Sequence, residues 1–321
     1  MDWLLYSAVH KEALPTSQIE GAQATLTDLF DEEAGFKVSN TDDVAEVSNY
    51  IRAFRLIREQ LRDPKGLPIS VRLLCDSHQL LLDGARGAGK QPGELRHSQN
   101  RIGGARPGNA VFAPPPPERA PELLFNLERF IHDTKDELPA LVKIAPVHAQ
   151  FETIHPFLDG NGRIGRLLIA ALPEHRRLPA EPLMCLSGYL KQHQTEYYRR
   201  LLEIRTEGDW ESWASFFLEG VAVSATQAEQ NIIAVAGLIA ADRRKLLQSP
   251  KAGSAGYRLF ELLPMMPRFT AERVRQQLQT TFPTANAAAQ LPEQPGIVIE
   301  APGQKKNRSY SYQAYVDLLT R

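Results

Sequence analysis

The stretch His155-Pro-Phe-Leu-Asp-Gly-Asn-Gly-Arg-Ile-Gly-Arg166 stands between two segments with helical patterns and determines how they are joined. The preceding segment, Ala145–Thr153, places apolar residues at helical spacing, and the following run, Leu167–Ala171, is entirely apolar. The sequence therefore predicts a helix, a polar loop and a second helix. Phe157 is the apolar residue expected to anchor this loop in the core.

The residue types within the loop suit the binding of an anion. Gly160 and Gly162 allow the backbone to approach an anion closely and to adopt positive φ angles. Amides at the start of the next helix would then point at that anion, and the helix dipole favours negative charge there. Arg163 and Arg166 lie on one face of the helix, so both guanidinium groups are expected to reach neighbouring phosphates.

Two further residues of the loop supply reactive groups. Asp159 places a carboxylate where a Mg²⁺ ion that bridges two phosphates needs one. His155 titrates near neutrality and suits the removal of a proton from an attacking hydroxyl. Each residue alone is also compatible with an ordinary turn, a solvated helix face or a structural histidine. Together they predict a site for a reaction at a nucleotide phosphate.

The composition is that of a globular protein with a substantial core. The 321 residues are 43% hydrophobic and 23% charged, with a formal net charge of −1 at pH 7, and predict two or three domains. This charge gives no global attraction to nucleic acid or anionic lipid. No apolar run approaches the length of a membrane span, and charged residues follow Met1 too early for a secretory signal, so we expect a cytoplasmic protein. The isolated Cys75 and Cys185 predict reduced thiols and no disulfide.

Most of the chain before position 248 is predicted to be helical. The clearest apolar periodicities lie at Val44–Arg62, Ser70–Ala85, Pro121–Lys135 and Leu141–Thr153. The stretch Gly84–Pro117, rich in Gly, Pro and basic residues, is instead predicted to be an exposed loop or hairpin. Further along, Trp210 and Trp213 follow a turn at Gly208 and are predicted to lie in the core.

A Ser-, Pro- and Gly-rich linker, Gln248–Gly256, precedes a carboxyl-terminal part of different character. It is predicted to contain three helices and two strands: Tyr257–Leu263, Thr270–Gln279, Pro283–Gln290, then Gly296–Glu300 and Ser309–Tyr312. This order is typical of a winged helix-turn-helix, with Lys305, Lys306 and Arg308 in the wing. The candidate recognition helix has no Lys or Arg, although Asn286 and Gln290 can contact bases. DNA, a partner protein and a second copy of the chain remain candidate partners.

The stretch 155–166 resembles the Fic-family motif H-x-F-x-[DE]-G-N-G-R-x-x-R at every defined position. The resemblance implies a mainly α fold, with a Fic-type helical bundle, a small β-hairpin flap and a carboxyl-terminal winged helix. The implied domains are an amino-terminal helical region at 1–66, a Fic core at 67–222, a connecting helix and linker at 223–256, and the winged helix at 257–321. The implied activity is transfer of AMP from ATP to a Ser, Thr or Tyr hydroxyl of a target protein, including self-modification, with release of pyrophosphate.

The resemblance also implies a role for each residue of the motif. His155 would deprotonate the target hydroxyl, and Asp159 would hold Mg²⁺ on the α- and β-phosphates. Arg163 would bind the β-phosphate and Arg166 the γ-phosphate. The other residues implied to contact ATP are Gly160, Asn161, Gly162, Ile164, Gly165 and, for adenine, Tyr197 with Tyr198 as the alternative.

Two other segments resemble regulatory and substrate-binding parts of the same family. Thr16-Ser-Gln-Ile-Glu20-Gly21 resembles the inhibitory motif [ST]-x-x-x-E-[GN], which implies that Glu20 pairs with Arg166 and removes the partner of the γ-phosphate. A helix capping box is the alternative interpretation. Gly93–Gly104, called the flap segment below, lies where the family places a hairpin that pairs with the target peptide; an ordinary mobile loop is the alternative.

Two other functions remain open at this point. The same loop occurs in relatives that transfer phosphate or phosphocholine or that remove AMP. Alternatively, the chain is a DNA-binding regulator whose Fic domain senses a nucleotide. A homodimer is also compatible with the family. Because the subgroup usually carries a longer stretch before the inhibitory motif, the sequence is compatible with a missing upstream segment.

Overall fold

The computed structural model describes residues 3–104, 110–135, 138–176, 178, 184–248, 253–293, 295–300 and 308–320. These residues are mainly helical. They form two compact units, one of residues 8–23 and 42–225 and the other of residues 1–7, 24–41 and 226–321. We call them the catalytic-loop unit and the carboxyl-terminal unit. Among the described residues, no helix combines the length and the apolar character needed to cross a membrane.

The catalytic-loop unit contains the residues of the predicted site. Its helices, with α1 and α10 extending past the limits of the unit, are α1 (Trp3–Ile19), α3 (Thr41–Arg62), α4 (Val71–Leu81), α5 (Ala120–His132), α6 (Ala140–Ile154), α7 (Asn161–His175), α8 (Leu186–Gln192), α9 (Gln194–Glu207) and α10 (Trp210–Leu247).

Helices α6 and α7 pack against each other and carry the loop 155–160 between them. The apolar residues of α6 recur every three or four positions, and Val147, Phe151 and Ile154 are at most 1% exposed. The run at the start of α7 is buried to the same degree, with Leu167 and Leu168 at 0% exposure. Burial of both faces fixes the two helix ends that support the loop, as the sequence pattern predicted.

The long connection between α4 and α5 is irregular in its described part. Residues 82–104 and 110–116 contain turns and one antiparallel bridge, in which Ile102 pairs with Phe112. The predicted flap hairpin is therefore represented by a single bridge, and residues 105–109 lie outside the described part. Proline at 114–117 excludes ladder hydrogen bonds there, and Pro117 begins the short turn that leads into α5.

The carboxyl-terminal unit contains helices and a small antiparallel sheet. Its elements are α2 (Leu26–Glu33), α11 (Ser254–Leu262), β1 (Arg268–Thr270), α12 (Ala271–Leu278), α13 (Phe282–Gln290), β2 (Ile299–Glu300), β3 (Ser309–Ser311) and α14 (Gln313–Thr320), together with the end of α10. The strand order is β1-β3-β2, with Phe269 opposite Tyr310 and Ile299 opposite Ser311.

The sequence predicted the three helices and two of the three strands, but it missed β1 and α14. Strand β1 has only three residues, too few to show an alternating pattern. It ends at Thr270, whose hydroxyl accepts a hydrogen bond from the amide of Arg273 at 3.1 Å and so starts α12. Of the predicted wing, Lys305 and Lys306 lie outside the described residues, and Arg308 lies 3.4 Å from Glu300.

The prediction that both tryptophans lie in the core is correct for Trp213 and wrong for Trp210. Trp213 is fully buried, and its indole N–H donates to the carbonyl of Ala145 in α6 at 2.8 Å. Trp210 begins α10 and is 42% exposed.

We expect Trp213→Phe to lower the free energy of unfolding by about 1–3 kcal/mol, because it removes a buried hydrogen bond and leaves a cavity. Trp210→Phe is the matched control on the same helix and should change this free energy by less than about 0.5 kcal/mol. Urea unfolding followed by circular dichroism at the helix band measures both. Equal effects of the two substitutions would contradict the assigned difference in burial.

Candidate active site

The loop 155–160 begins and ends with left-handed residues. His155 caps α6 with φ 50° and ψ 61°, and Gly160 precedes α7 with φ 74°. The conformation of His155 is uncommon for a residue with a side chain and needs support from its surroundings. Asn161 supplies part of this support, since its side chain accepts from the amide of Phe157 at 2.8 Å and donates to the carbonyl of Phe157 at 2.7 Å. The amide group of Asn161 therefore shapes the loop, and only its backbone N–H remains for the predicted phosphate contact.

His78 of α4 packs against the loop and supports its conformation. Its ring stacks on Phe157, with 3.9 Å between the ring centres, and it is fully buried. The amide of Gly93 donates to Nδ1 at 2.9 Å, so Nε2 carries the proton and donates to the carbonyl of Asp159 at 3.0 Å. Burial lowers the pKa of His78 to about 4, and the ring therefore stays neutral near pH 7.

The first turn of α7 faces the carboxylate of Glu20. A Cβ atom at Gly162 would lie 2.3 Å from Glu20 Oε1, so only glycine permits this approach. The free amides at the start of α7 and its dipole favour an anion at this end of the helix. The carboxylate of Glu20 thus stands beside the predicted phosphate-binding turn.

Arg166 is 1% exposed and is bound by the end of α1. Its guanidinium donates to the hydroxyl of Thr16 at 2.5 Å, to the carbonyl of Thr16 at 3.0 Å and to Glu20 at 2.5 Å. Burial raises the pKa of Glu20, but the charge and hydrogen bond of Arg166 outweigh that effect, and the pKa lies below its usual value. The predicted Glu20–Arg166 pair is therefore an ionised, hydrogen-bonded pair in this structure.

Arg163 is the second buried arginine of α7. Its Nη1 lies 3.6 Å from Glu46 of α3, and its Nη2 lies 3.9 Å from Asp159. The Nε and Nη1 atoms are buried without a hydrogen-bond partner. Both oxygens of Glu46 are instead occupied by Arg86, at 2.7 and 3.1 Å. Arg163 therefore retains donors that can bind an anionic group.

His155 is neutral and surrounded by groups of both signs. Burial lowers its pKa to about 4, and the charge of Arg205 lowers it further, whereas Glu152 and Glu20 act in the opposite direction. Its Nδ1 lies 3.9 Å from Glu152 Oε2. A neutral imidazole can accept a proton, which a general base requires.

Asp159 can supply one carboxylate ligand to a cation whose other ligands come from a bound molecule and water. Its side chain is 43% exposed, and Oδ1 accepts from the amide of Gly160 at 2.6 Å. Within the described residues no cluster of three or more His, Cys, Asp or Glu side chains could hold a metal ion. The residues present fit Mg²⁺ only if phosphate oxygens and water complete its coordination, as is usual for nucleotide-bound Mg²⁺.

Three of the residues predicted to contact ATP are inaccessible. Ile164 is fully buried, and a Cβ at Gly165 would lie 2.3 Å from Glu152, so this glycine allows α6 and α7 to approach each other. Tyr197 is 1% exposed, and its hydroxyl is hydrogen-bonded to His148 Nε2 at 2.7 Å. The alternative, Tyr198, is 47% exposed. We therefore transfer the expectation of an aromatic surface for adenine from Tyr197 to Tyr198.

Several residues that shape the site escaped the sequence analysis. His78, His148, Glu46, Glu152 and Arg205 lie on other helices or before the motif, and no local spacing connects them with it. Arg96 was placed in an exposed flap segment, yet it is 1% exposed and donates to the carbonyl of His155 at 2.8 Å. A basic residue in a glycine-rich stretch gives no signal that distinguishes a surface arginine from a buried one.

We expect His78→Gln to make the protein less stable at pH 7 and less sensitive to acid. The pKa of His78 is about 4 in the folded state and 6.5 as its ordinary value, so its contribution to stability is present above pH 6.5 and is lost as pH falls toward 4. The stability difference between the parent and His78→Gln should shrink by about 2 kcal/mol between pH 7 and pH 5. Urea unfolding at both pH values measures it, and a difference independent of pH would refute the assigned neutral state.

Comparisons with known proteins show which family the chain is similar to. Residues 68–172 match the Fic/DOC family, and residues 1–57 match the Fic/DOC family N-terminal region. A probable protein adenylyltransferase of Aquifex aeolicus is 41% identical over 63 residues, which cover 20% of this chain and 19% of that protein. The protein adenylyltransferase Fic of Aedes aegypti is 32% identical over 128 residues, which cover 40% of this chain and 23% of that protein. The chain thus spans less than a quarter of the length of these two relatives.

Solved structures show the same fold at low sequence identity. A Fic family protein from Desulfovibrio desulfuricans G20 superposes with a TM-score of 0.62 at 20% sequence identity. The superposed region covers 97% of this chain and 88% of that protein's chain. Fic-1 of C. elegans, residues 134–508, superposes with a TM-score of 0.56 at 21% sequence identity. The superposed region covers 70% of this chain and 63% of that chain. Residues 68–172 are thus similar to the Fic/DOC family and residues 1–57 to its N-terminal region, and the fold is that of solved Fic structures.

Proposed function

We propose that this protein transfers AMP from ATP to a hydroxyl side chain of a protein target. The observation that carries the proposal is the neutral, half-buried His155 beside the amino end of α7, with Arg163 and Arg166 buried on that helix. The relatives described above are named adenylyltransferases, which supports the same reaction.

The proposed reaction needs a base, an in-line arrangement and charge neutralisation. The target oxygen attacks the α-phosphorus while the bond to the departing pyrophosphate breaks. His155 takes the proton of the attacking hydroxyl. Arg163 binds the β-phosphate and Arg166 the γ-phosphate, while the backbone amides of Asn161 and Gly162 lie along the phosphate chain.

Asp159 is the residue that would hold Mg²⁺ with the nucleotide. When bound, this ion would neutralise charge on the α- and β-phosphates. The partial exposure of the Asp159 side chain and the distribution of donors around it support this assignment. The protein's own contribution is to position the carboxylate through the hydrogen bond from Gly160.

Glu20 is proposed to inhibit the same reaction. Its carboxylate occupies Arg166, which the γ-phosphate needs, and lies against Gly162 at the start of α7. A triphosphate and this carboxylate would place like charges together, so ATP is excluded from its productive pose. Removal of Glu20 would free both the arginine and the helix end.

We expect Glu20→Gly to raise AMP transfer, including self-modification, by about 10-fold or more, because a charge-assisted pair no longer competes with the γ-phosphate. Incubation with ATP labelled at the α-phosphate, followed by mass spectrometry of the protein, measures the transfer. Glu20→Gln is the matched control for charge, since it keeps the side-chain length and should give an intermediate rate.

Label from the γ-phosphate instead of the α-phosphate would indicate a kinase and would contradict AMP transfer. Loss of a preformed AMP-protein adduct on incubation would indicate the reverse, AMP-removing activity. If Glu20→Gly changes neither the transfer rate nor the affinity for ATP, inhibition by Glu20 is excluded.

We expect His155→Ala in the Glu20→Gly background to reduce transfer by about 100-fold or more, since it removes the general base. Binding of ATP should change by less than about twofold, because the phosphates are bound by the arginines and amides. Isothermal titration with ATP and the labelling assay separate the two effects. Undiminished transfer would exclude His155 as the base.

The carboxyl-terminal unit is proposed to be a winged helix-turn-helix. Its element order, α11, β1, α12, α13, β2, β3, and its sheet order, β1-β3-β2, support this assignment. Helix α13 has no Lys or Arg, which disfavours a strong attraction to phosphate backbones. We therefore favour the transferase over a DNA-binding regulator, and a gel-shift assay with and without ATP distinguishes the two.

A further inference from the structure

The carboxyl end of α6, which carries His155, is capped by two arginines from distant parts of the chain. Arg96 donates to the carbonyl of His155 at 2.8 Å and to that of Ile154 at 3.4 Å. Arg205 of α9 donates to the carbonyl of Glu152 at 2.9 Å. The last carbonyls of a helix lack intrahelical partners, and the helix dipole favours cations at this end. Both arginines therefore stabilise the end of α6.

Both arginines also contact the segment that follows residues 105–109. Arg96 donates to the carbonyl of Pro115 at 2.5 Å. The guanidinium carbon of Arg205 lies 4.4 Å from the ring centre of Phe112, within the range of a cation–π contact. Phe112 in turn forms the backbone bridge with Ile102, through hydrogen bonds of 2.9 and 3.2 Å.

Arg205 is placed to connect this bridge with the end of α6. Its Nη2 donates to the carbonyl of Glu152 at 2.9 Å, its Nε lies 3.3 Å from the hydroxyl of Thr153, and its guanidinium lies over Phe112. Capping of α6 alone does not require an aromatic ring on the opposite side of the guanidinium. Arg205 thus connects the Ile102–Phe112 bridge with Glu152 and Thr153, in the last turn of α6 before His155.

We propose that Arg205 is a positioning residue for AMP transfer, which holds His155 in place by connecting the end of α6 with the Ile102–Phe112 bridge. The inference rests on the proposed function. The bridge fixes Phe112, Phe112 fixes the guanidinium, and the guanidinium fixes the end of α6. A displacement of about 1 Å at a reacting group can lower a rate by about 100-fold, so this connection can control transfer.

The charge of Arg205 also acts on His155. The charged or titratable groups that face this imidazole are Glu152 on α6, Arg205 on α9, Glu20 directly after α1 and Arg96 from the flap segment. Burial is the main cause of the lowered pKa of His155, and Arg205 is the next. Loss of this cation should raise the pKa of His155, whereas loss of the Phe112 ring should not.

The test uses the full chain in the Glu20→Gly background and self-modification with α-labelled ATP. We expect Arg205→Ala to lower kcat by about 10- to 100-fold with a change of less than about twofold in the KM for ATP. Arg205→Lys should recover most of the rate, since it keeps the cation. Phe112→Ala should lower kcat, and the double variant should be no slower than Arg205→Ala, because both residues act through one contact.

Arg199→Ala is the matched control. Arg199 lies on the same helix but is paired with Glu196 and Glu203 at the surface, so its loss should leave kcat unchanged. Histidine NMR titration of the same proteins provides a readout besides activity. The pKa of His155 should rise in Arg205→Ala and stay unchanged in Phe112→Ala and Arg199→Ala.

An unchanged kcat in Arg205→Ala, or fully additive effects in the double variant, would overturn the inference. If Arg205→Ala fails to fold, an unchanged kcat in Phe112→Ala overturns it. If the Glu20→Gly parent transfers no AMP, the proposed function fails instead. In that case the titration decides the inference, which an unchanged pKa of His155 in Arg205→Ala would overturn.

Discussion

A guanidinium buried between helices requires a charged partner, and Arg166 obtains its partner from the amino-terminal helix. An unpaired buried charge costs several kcal/mol, so this position is occupied either by the carboxylate of Glu20 or by another anion. The hydroxyl and carbonyl of Thr16 complete the donor set of Arg166. In this structure the electrostatic requirement of Arg166 holds the segment that contains Thr16 and Glu20.

The contacts of α1 hold the segment that pairs with Arg166 in place. Pro15 lies inside α1 and cannot donate to the carbonyl of Lys11, and the thiol of Cys185 donates to that carbonyl at 2.9 Å. The carboxylate of Glu12 accepts from the amide and hydroxyl of Ser187. These contacts fix the register of α1, so Glu20 at its end reaches the first turn of α7.

The sequence was sufficient to predict the two helices that carry the candidate site. Helical periodicity predicted α6 and α7, whereas the anion site expected from the glycines and arginines of this stretch stays a prediction. The residues that support the loop could not be predicted. His78, for example, lies far from the loop in the sequence, and no local sequence pattern connects the two. Tyr197 and Tyr198 illustrate the same limit: neighbouring tyrosines of one helix point to opposite environments, and only packing decides which ring is buried. Arg96 belongs to an irregular stretch, where neither the helical nor the strand periodicity of apolar residues can indicate which side chains are buried.

Glu152 is a buried carboxyl group whose pKa depends on its charged neighbours. Burial raises this pKa to about 7, the charge of Arg166 lowers it, and the charge of Glu20 raises it again. Its Oε1 is buried without a hydrogen-bond partner and lies against Gly165, between α6 and α7. A change in the charge at position 20 would therefore alter the pKa of Glu152, since loss of a neighbouring carboxylate favours the ionised form of the other. Because Glu152 also lies 3.9 Å from Nδ1 of His155, its ionisation would favour a protonated imidazole. This electrostatic coupling links position 20 with positions 152, 155 and 166, which lie far from it in the sequence.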